Sequence, residues 1–289
     1  MPKYLYNYHY FKKHFENDIV KNYNSEKTKQ LQQMISPFIL RRNKKDVLKE
    51  LPDKIEKTQI IPFDAEESKL YYATLAQVNE ELQTIFKMEK VDQIAILALL
   101  TTLRQICCEP RLLYENIENI SSKMKACIDL IINLKSNNQK VLLFSSFTSV
   151  LDLIAEELNA NHITFYKITG DTLKEDRRKY VEGFQNGEVD VFLISLKAGG
   201  TGLNLTTAQA VIHYDPWWNI SAQNQATDRA YRIGQKRNVM VYKLVMKDSI
   251  EEKIIFLQEK KKELADVFVE NNSGNLASMT KEEILELFS

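Results

Sequence analysis

The sequence predicts an α/β fold: a parallel sheet flanked by helices, with a helical segment ahead of it and one long helix behind. Three observations carry that expectation. From about residue 140 to 247, short apolar runs alternate with segments of helical spacing. Runs apolar at every position suit strands covered on both faces, the habit of parallel sheets. Residues from about 66 to 135 repeat their apolar side chains only at helical spacing, and Ser249 to Val269 reads as one uninterrupted helix.

In chain order, Leu70, Leu75, Val78, Leu82, Ile85 and Phe86 space as one face of a first helix. A second runs from about Val91 to Ile106 and is punctuated by Glu109-Pro110. A third, capped by Ser121 or Ser122, carries Met124, Ile128, Ile131, Ile132 and Leu134. The first two can pack on one another, and every expected strand lies C-terminal to them. Residues 66–118 therefore read as an appendage dispensable to folding of the sheet. The expected strands are Val141 to Ser145, Ile163 to Ile168, Val191 to Ile194, Ala210 to Tyr214 and Val239 to Val245. Val150 to Leu158 is a helix with Thr148 or Ser149 as its cap. Lys174 to Phe184 is a polar helix with an apolar stripe at Leu173, Tyr180, Val181 and Phe184. Asn271 to Asn275 is a turn-rich linker, and Lys281 to Phe288 a short amphipathic helix.

With 289 residues the chain can bury one large core. Its 39 bases balance 39 acids, unlike a strongly basic nucleic-acid binder. The balance is uneven: bases lead from Phe38 to Lys57 and from Ser121 to Lys247, acids beyond Asp248. Local phosphate contacts fit that pattern better than long-range attraction. No apolar run reaches the roughly 18 residues of a membrane span. The opening Met1-Pro-Lys-Tyr-Leu-Tyr has no secretory apolar core. Cys107, Cys108, Cys127 and four scattered histidines show no zinc spacing, so no metal site is expected. Reduced thiols in an intracellular setting follow, in the cytoplasm or nucleoid, or in a eukaryotic nucleus.

Two segments carry the chemistry. In Ser221 to Gln235, Arg229 and Arg232 stand three apart, and on a helix they share one face. Two guanidinium forks on one face suit a triphosphate. The helix is expected to end at Ile233-Gly234. A solvated charged helix is the bland alternative. In Lys197 to Leu205, three glycines follow a strand directly and let backbone N–H groups approach an anion. The spacing is wrong for a dinucleotide loop. Asp215, at a strand end, is either functional or a local cap. Trp217 and Trp218, being adjacent, cannot both face one core. Arg41, Arg42, Lys44 and Lys45 form a basic cluster beside Phe38, Ile39 and Leu40.

Gln225-Ala-Thr-Asp-Arg-Ala-Tyr-Arg-Ile-Gly-Gln235 resembles motif VI of the Snf2 family of superfamily 2 helicase-like ATPases. Ser195-Leu-Lys-Ala-Gly-Gly-Thr-Gly-Leu-Asn-Leu205 resembles motif V, and His213-Tyr-Asp-Pro-Trp-Trp-Asn219 the segment joining them. Pro37-Phe-Ile-Leu-Arg-Arg-Asn-Lys-Lys-Asp-Val47 is similar to the family's link between its two ATPase lobes. The resemblance runs from about Tyr4 to the C-terminus, with its motifs in family order.

That resemblance implies a RecA-like lobe carrying an inserted helical subdomain. Residues 1–55 would be the first lobe's tail and the interlobe linker, and 56–120 the helical protrusion. Residues 121–248 would be the lobe itself, and 249–289 a brace helix and tail. It makes Arg229 and Arg232 catalytic fingers on the γ-phosphate of ATP, with Asp228 fixing an arginine. Gln225, Gly202 and Asn204 would lie near the nucleotide. Ser145, Ser146, Thr148, Thr169, Arg177, Ser195, Lys197 and Gly199 would meet a DNA backbone, and Trp218 the interlobe cleft or the DNA. No Gly-x-x-x-x-Gly-Lys-Ser/Thr and no Asp-Glu-x-His occurs. ATP and Mg2+ would then sit mainly on an N-terminal partner lobe. The function implied is the C-terminal lobe of a translocase on double-stranded DNA, with no membrane role and no ATP hydrolysis by the isolated chain. A catalytically inert DNA- or protein-binding module of the same fold is the alternative.

Overall fold

The computed structural model describes residues 4, 5, 7–16, 19, 25–38, 51–87, 92–114, 116, 117, 119–199 and 202–268, with side chains of the last helix as far as Glu259. The basic cluster at Arg41–Lys45, Gly200-Thr201 and the segments expected at Asn271–Asn275 and Lys281–Phe288 lie outside them. The chain divides into two compact units, with boundaries between residues 49 and 50 and between 258 and 259.

In the first unit, α1 (Tyr8–Phe11) runs into a π-helical turn at Lys12–Glu16, and α2 (Ser25–Ile35) ends in a 3₁₀ turn at Ser36–Phe38. Phe15, Ile19 and Leu31 form its small core, with Leu5, Phe11, Met34 and Ile35 against them.

The second unit is built on a six-stranded, all-parallel sheet. Its strands are β1 (Lys54–Ile61), β2 (Val141–Ser145), β3 (Phe165–Ile168), β4 (Val191–Ser195), β5 (Ala210–His213) and β6 (Val239–Met246). The order across the sheet is β1-β6-β5-β2-β4-β3. The apolar runs are central strands because each feeds two cores through the two-residue alternation of a strand. Val141 and Leu143, Val191 and Leu193, and Ala210 and Ile212 face one core. Leu142 and Phe144, Phe192 and Ile194, and Val211 face the other.

The first core is closed by α3 (Ala65–Phe86), α4 (Gln93–Cys108), α5 (Ser122–Ser136), α6 (Thr148–Ala160) and the start of α10 (Ile250–Phe268). The second is closed by α7 (Lys174–Asn186) and by Ala226 of α9 (Ile220–Thr227), with Ala230 and Tyr231 beyond it. Local chemistry sets the starts. Asp64 caps α3 in a reciprocal box: its Oδ1 accepts from the Glu66 and Glu67 amides, and Glu67 Oε2 accepts from the Asp64 amide, all at 2.9 Å. Ser121 caps α5, its Oγ accepting from Met124 N at 3.1 Å. The cap expected at Thr148 or Ser149 is absent. Helix α6 starts at Thr148 itself, with Phe147 before it and no side-chain cap.

One expectation is corrected. Lys54–Ile61 is a strand paired along its full length with β6, Lys54 opposite Val239 and Ile61 opposite Met246. It crosses the boundary placed at 55/56 and precedes the helices. As an edge strand with mostly exposed side chains it has no apolar run to betray it. The backbone ladder to β6 holds it, with one cross-strand ion pair: Lys243 donates to Glu56 at 2.8 Å, and Lys54 of β1 itself lies 2.6 Å from the same carboxylate. The helices of residues 66–118 also share their buried face with the sheet. Leu82, Ile96, Leu100 and Leu103 belong to the same core as Leu143, Ile154 and Ile212.

Candidate functional site

The loops singled out in the sequence follow the C-terminal ends of β2, β4 and β5, the end of an α/β sheet where ligands meet the chain. After β4, one helical turn, α8 (Leu196–Gly199), carries exposed Lys197 outward. Ser195 is buried and its Oγ accepts from Ala198 N at 3.4 Å. Gly199 is closely packed: a Cβ there would lie 3.1 Å from the Phe144 ring, which would have to give by a few tenths of an ångström. Gly202 adopts φ +25° and is exposed, as is Asn204, whose carbonyl accepts from Gln185 Nε2 at 2.7 Å.

The arginine segment departs from the expected helix. Helix α9 is capped by Asn219, whose Oδ1 accepts from Ser221 N at 2.9 Å, and it stops at Thr227. Beyond it the chain tightens into turns: Arg229 N donates to Ala226 O and Ala230 N to Thr227 O, both at 3.1 Å. Arg229 and Arg232 therefore do not share a helical face. The cause is packing. Ala230 and Tyr231 are drawn into the second core, and buried Gln235 donates from Nε2 to Ala208 O at 2.8 Å and Ala230 O at 3.3 Å. Half-buried Arg229 donates from Nε to Gly199 O at 2.9 Å, while its carbonyl accepts from Leu205 N at 3.0 Å. These two bonds clamp the glycine loop to the arginine segment. Arg232 and Gln225 remain exposed, and Asp228 is half-buried.

Two expected backbone contacts are turned inward. Ser145 is 1% exposed, and its hydroxyl donates to Asp215 Oδ1 at 2.7 Å. Arg177 spends its donors on the turn before its own helix: Nε to Thr172 O at 2.9 Å, and Nη2 to Thr169 O at 3.0 Å and Gly170 O at 2.8 Å. Thr148 is exposed, whereas Ser146, Thr169 and Trp218 are half-buried, Trp218 against the first core.

Asp215 is neither cap nor solvent-facing acid. It is buried against Arg104 of α4, with Arg104 Nη2 at 2.8 Å from Oδ2. Sequence reasoning passed over Arg104. The available signal was a lone base on the apolar face made by Leu100, Leu103 and Cys107. Beside it, buried His213 meets Thr227 Oγ1 at 2.9 Å. Burial, with Lys243 nearby, pushes its pKa down to about 4, so the ring is neutral at pH 7. Among the described residues no cluster of His, Cys, Asp or Glu could hold a metal ion, and no helix is long and apolar enough to cross a membrane.

A parallel sheet with a glycine loop clamped to an arginine segment at its strand ends agrees with the RecA-like lobe that the sequence resemblance implies. Residues 1–112 match the SNF2-related domain model and residues 122–234 the helicase conserved C-terminal domain model. The chain is 37% identical to an uncharacterized ATP-dependent helicase of Mycoplasma pneumoniae, across 100% of this chain and 27% of that protein. It is 30% identical to a RAD54-like DNA repair and recombination protein of Drosophila willistoni, across 96% of this chain and 40% of that protein. The solved SWI2/SNF2 ATPase core of Sulfolobus solfataricus in complex with double-stranded DNA superposes with a TM-score of 0.68 at 32% identity, covering 99% of this chain and 61% of that one. The chain belongs to the Snf2 family of superfamily 2 ATPases. It spans 27% and 40% of the lengths of these two curated relatives.

Proposed function

We propose that this chain is the second ATPase lobe of an ATP-dependent translocase on double-stranded DNA. It supplies arginine fingers to a nucleotide held mainly by a first lobe, and it grips the DNA backbone without reading sequence. The observation that supports this reading is the clamp between Arg229 Nε and Gly199 O, which fixes the arginine segment beside the glycine loop, with Arg232 exposed next to it. An exposed guanidinium can neutralise charge developing on a transferring phosphoryl group. Gln225, Gly202 and Asn204, all exposed, are the accompanying nucleotide contacts, and Asp228 steadies the arginines.

On the DNA side, exposed Thr148 and Lys197 and half-buried Ser146, Thr169 and Trp218 remain the candidates. Ser145, Ser195, Gly199 and Arg177 act by shaping the loops that present them. Mg2+ would belong to the first lobe, with the phosphates it neutralises. ATP would draw the two lobes together, and closure would shift each lobe's hold along the backbone.

The test is ATP hydrolysis by this chain alone and joined to its first lobe, with and without duplex DNA. Turnover is expected only in the joined protein, and stimulated by DNA. DNA-stimulated turnover by the chain alone, or DNA-indifferent turnover by the joined protein, overturns the reading.

A further inference from the structure

Helix α4 reaches the strand ends through one buried side chain. Arg104 Nη2 donates to Ser146 Oγ at 2.8 Å, to Asp215 Oδ2 at 2.8 Å and to Pro216 O at 3.3 Å. The rings of Phe147 and Trp217 lie 4.9 and 5.0 Å from its guanidinium carbon. The two side chains of the ion pair are 4% and 0% exposed. Asp215 completes the junction from the other side, accepting from Ser145 Oγ at 2.7 Å, from Ser146 N at 3.0 Å and from the Ser146 hydroxyl. Asp215, backed by Arg104 of α4, thus ties the end of β2 to the segment that leaves β5 and runs through Asn219 into α9 and the arginines.

Arg104 is a poor choice for filling space. Its buried Nε has no hydrogen-bond partner, and leaving such a donor unpaired is unfavourable. Apolar side chains of similar volume in place of the whole Arg104–Asp215 pair would pack the same space without that cost. What arginine adds is a planar fork that stacks on rings and spans several acceptors at one fixed geometry.

We propose that Arg104 is a positioning residue: through Asp215 it locks the DNA-facing loop after β2 to the segment leading to Arg229 and Arg232, and so couples DNA contact to ATP turnover. The inference rests on the translocase reading above. The two loops meet directly through Asp215, which accepts from Ser145 Oγ, Ser146 N and the Ser146 hydroxyl; Arg104 adds a charged partner from α4 that holds Asp215 and Ser146 in one geometry. Lysine at 104 would keep the charge and could offer three donors from one nitrogen, but it would lose the delocalised guanidinium whose carbon lies 4.9 and 5.0 Å from the Phe147 and Trp217 rings.

The experiment compares wild type and Arg104→Lys in the protein that carries both lobes, measuring basal and DNA-stimulated ATP turnover, DNA affinity and thermal melting. Basal turnover and DNA affinity are expected within about twofold of wild type, with the stimulation ratio lowered on the order of tenfold. A merely structural role would lower basal and stimulated turnover together, in step with lost folded protein, and that result overturns the inference. So does an unchanged stimulation ratio. Should Arg104→Lys fail to fold, Phe147→Leu keeps the ion pair and removes one ring beneath the guanidinium. A lowered ratio then supports the inference, and a wild-type ratio overturns it. Wild-type turnover indifferent to DNA overturns the translocase reading and this inference with it, whereas a stimulated wild type with a normal variant overturns this inference alone.

Discussion

Replacing Lys123 with methionine is expected to cost the second unit about 3–5 kcal/mol. Lys123 on α5 and Glu251 on α10 are both fully buried, and Nζ lies 2.6 and 2.7 Å from the two carboxylate oxygens. Burial opposes the charge on Lys123, but the carboxylate beside it outweighs that and raises its pKa above the ordinary lysine value. Methionine would refill most of the lysine stem and leave the carboxylate with the Met246 amide, 2.9 Å from Oε2. An unpaired buried carboxylate must then take up a proton or open the helix–helix contact. For a unit of roughly 200 residues, each kcal/mol moves Tm by about 2–4 °C, so a fall of roughly 6–20 °C is expected. The double variant Lys123→Met/Glu251→Gln should recover at least about half of the loss. Its neutral amide needs no counter-charge, and its oxygen can still accept from Met246 N. Urea unfolding at pH 7, followed by tryptophan fluorescence and circular dichroism, measures both. A single variant within about 1 kcal/mol of wild type would refute the reasoning, as would a double variant whose loss equals the sum of the singles.

Three further outcomes are expected. The neutral ring of buried His213, with its pKa near 4 against an ordinary 6.5, makes the unfolded chain the better proton binder. Its contribution of roughly 3 kcal/mol is complete above about pH 6.5 and is lost as pH falls towards 4; a His213→Gln variant that keeps the same slope over that window would contradict the assignment. Removing residues 66–118 should abolish cooperative unfolding, because Leu82, Ile96, Leu100 and Leu103 close the same core as the strands; a soluble, sharply melting deletion variant would argue for separate cores. DNA binding by this chain should be weak, indifferent to sequence and sensitive to salt, since the proposed contacts are backbone contacts with few charges. Anisotropy titrations at two salt concentrations check it, and sequence-selective binding that survives high salt would identify a different kind of site.

Much of this was legible because burial on both faces writes a plain signal. Val141–Ser145 and Val191–Ser195 are apolar or small throughout, and the cores on the two faces of the sheet hide every side chain. Lys54–Ile61 escaped for the opposite reason: an edge strand whose ladder partner and cross-strand ion pair come from distant β6 looks locally like a charged linker. The arginine segment was visible by composition but not by conformation. Spacing alone favours a helix through Arg232, while the pull of Ala230, Tyr231 and Gln235 towards the second core ends it at Thr227. Ser145 and Arg177 show a similar limit. A hydroxyl or guanidinium at a strand end suits a phosphate, and only the fold reveals that Asp215 and the Thr169–Thr172 turn claim them first.

The most direct test of the proposed function is single-turnover ATP hydrolysis by the protein carrying both lobes, with duplex DNA, comparing wild type with Arg232→Ala. If Arg232 is a finger on ATP held mainly by the other lobe, the rate should fall by about 10³–10⁵ while nucleotide affinity stays within about threefold. A near-normal rate, or a variant that no longer binds nucleotide, would contradict that role.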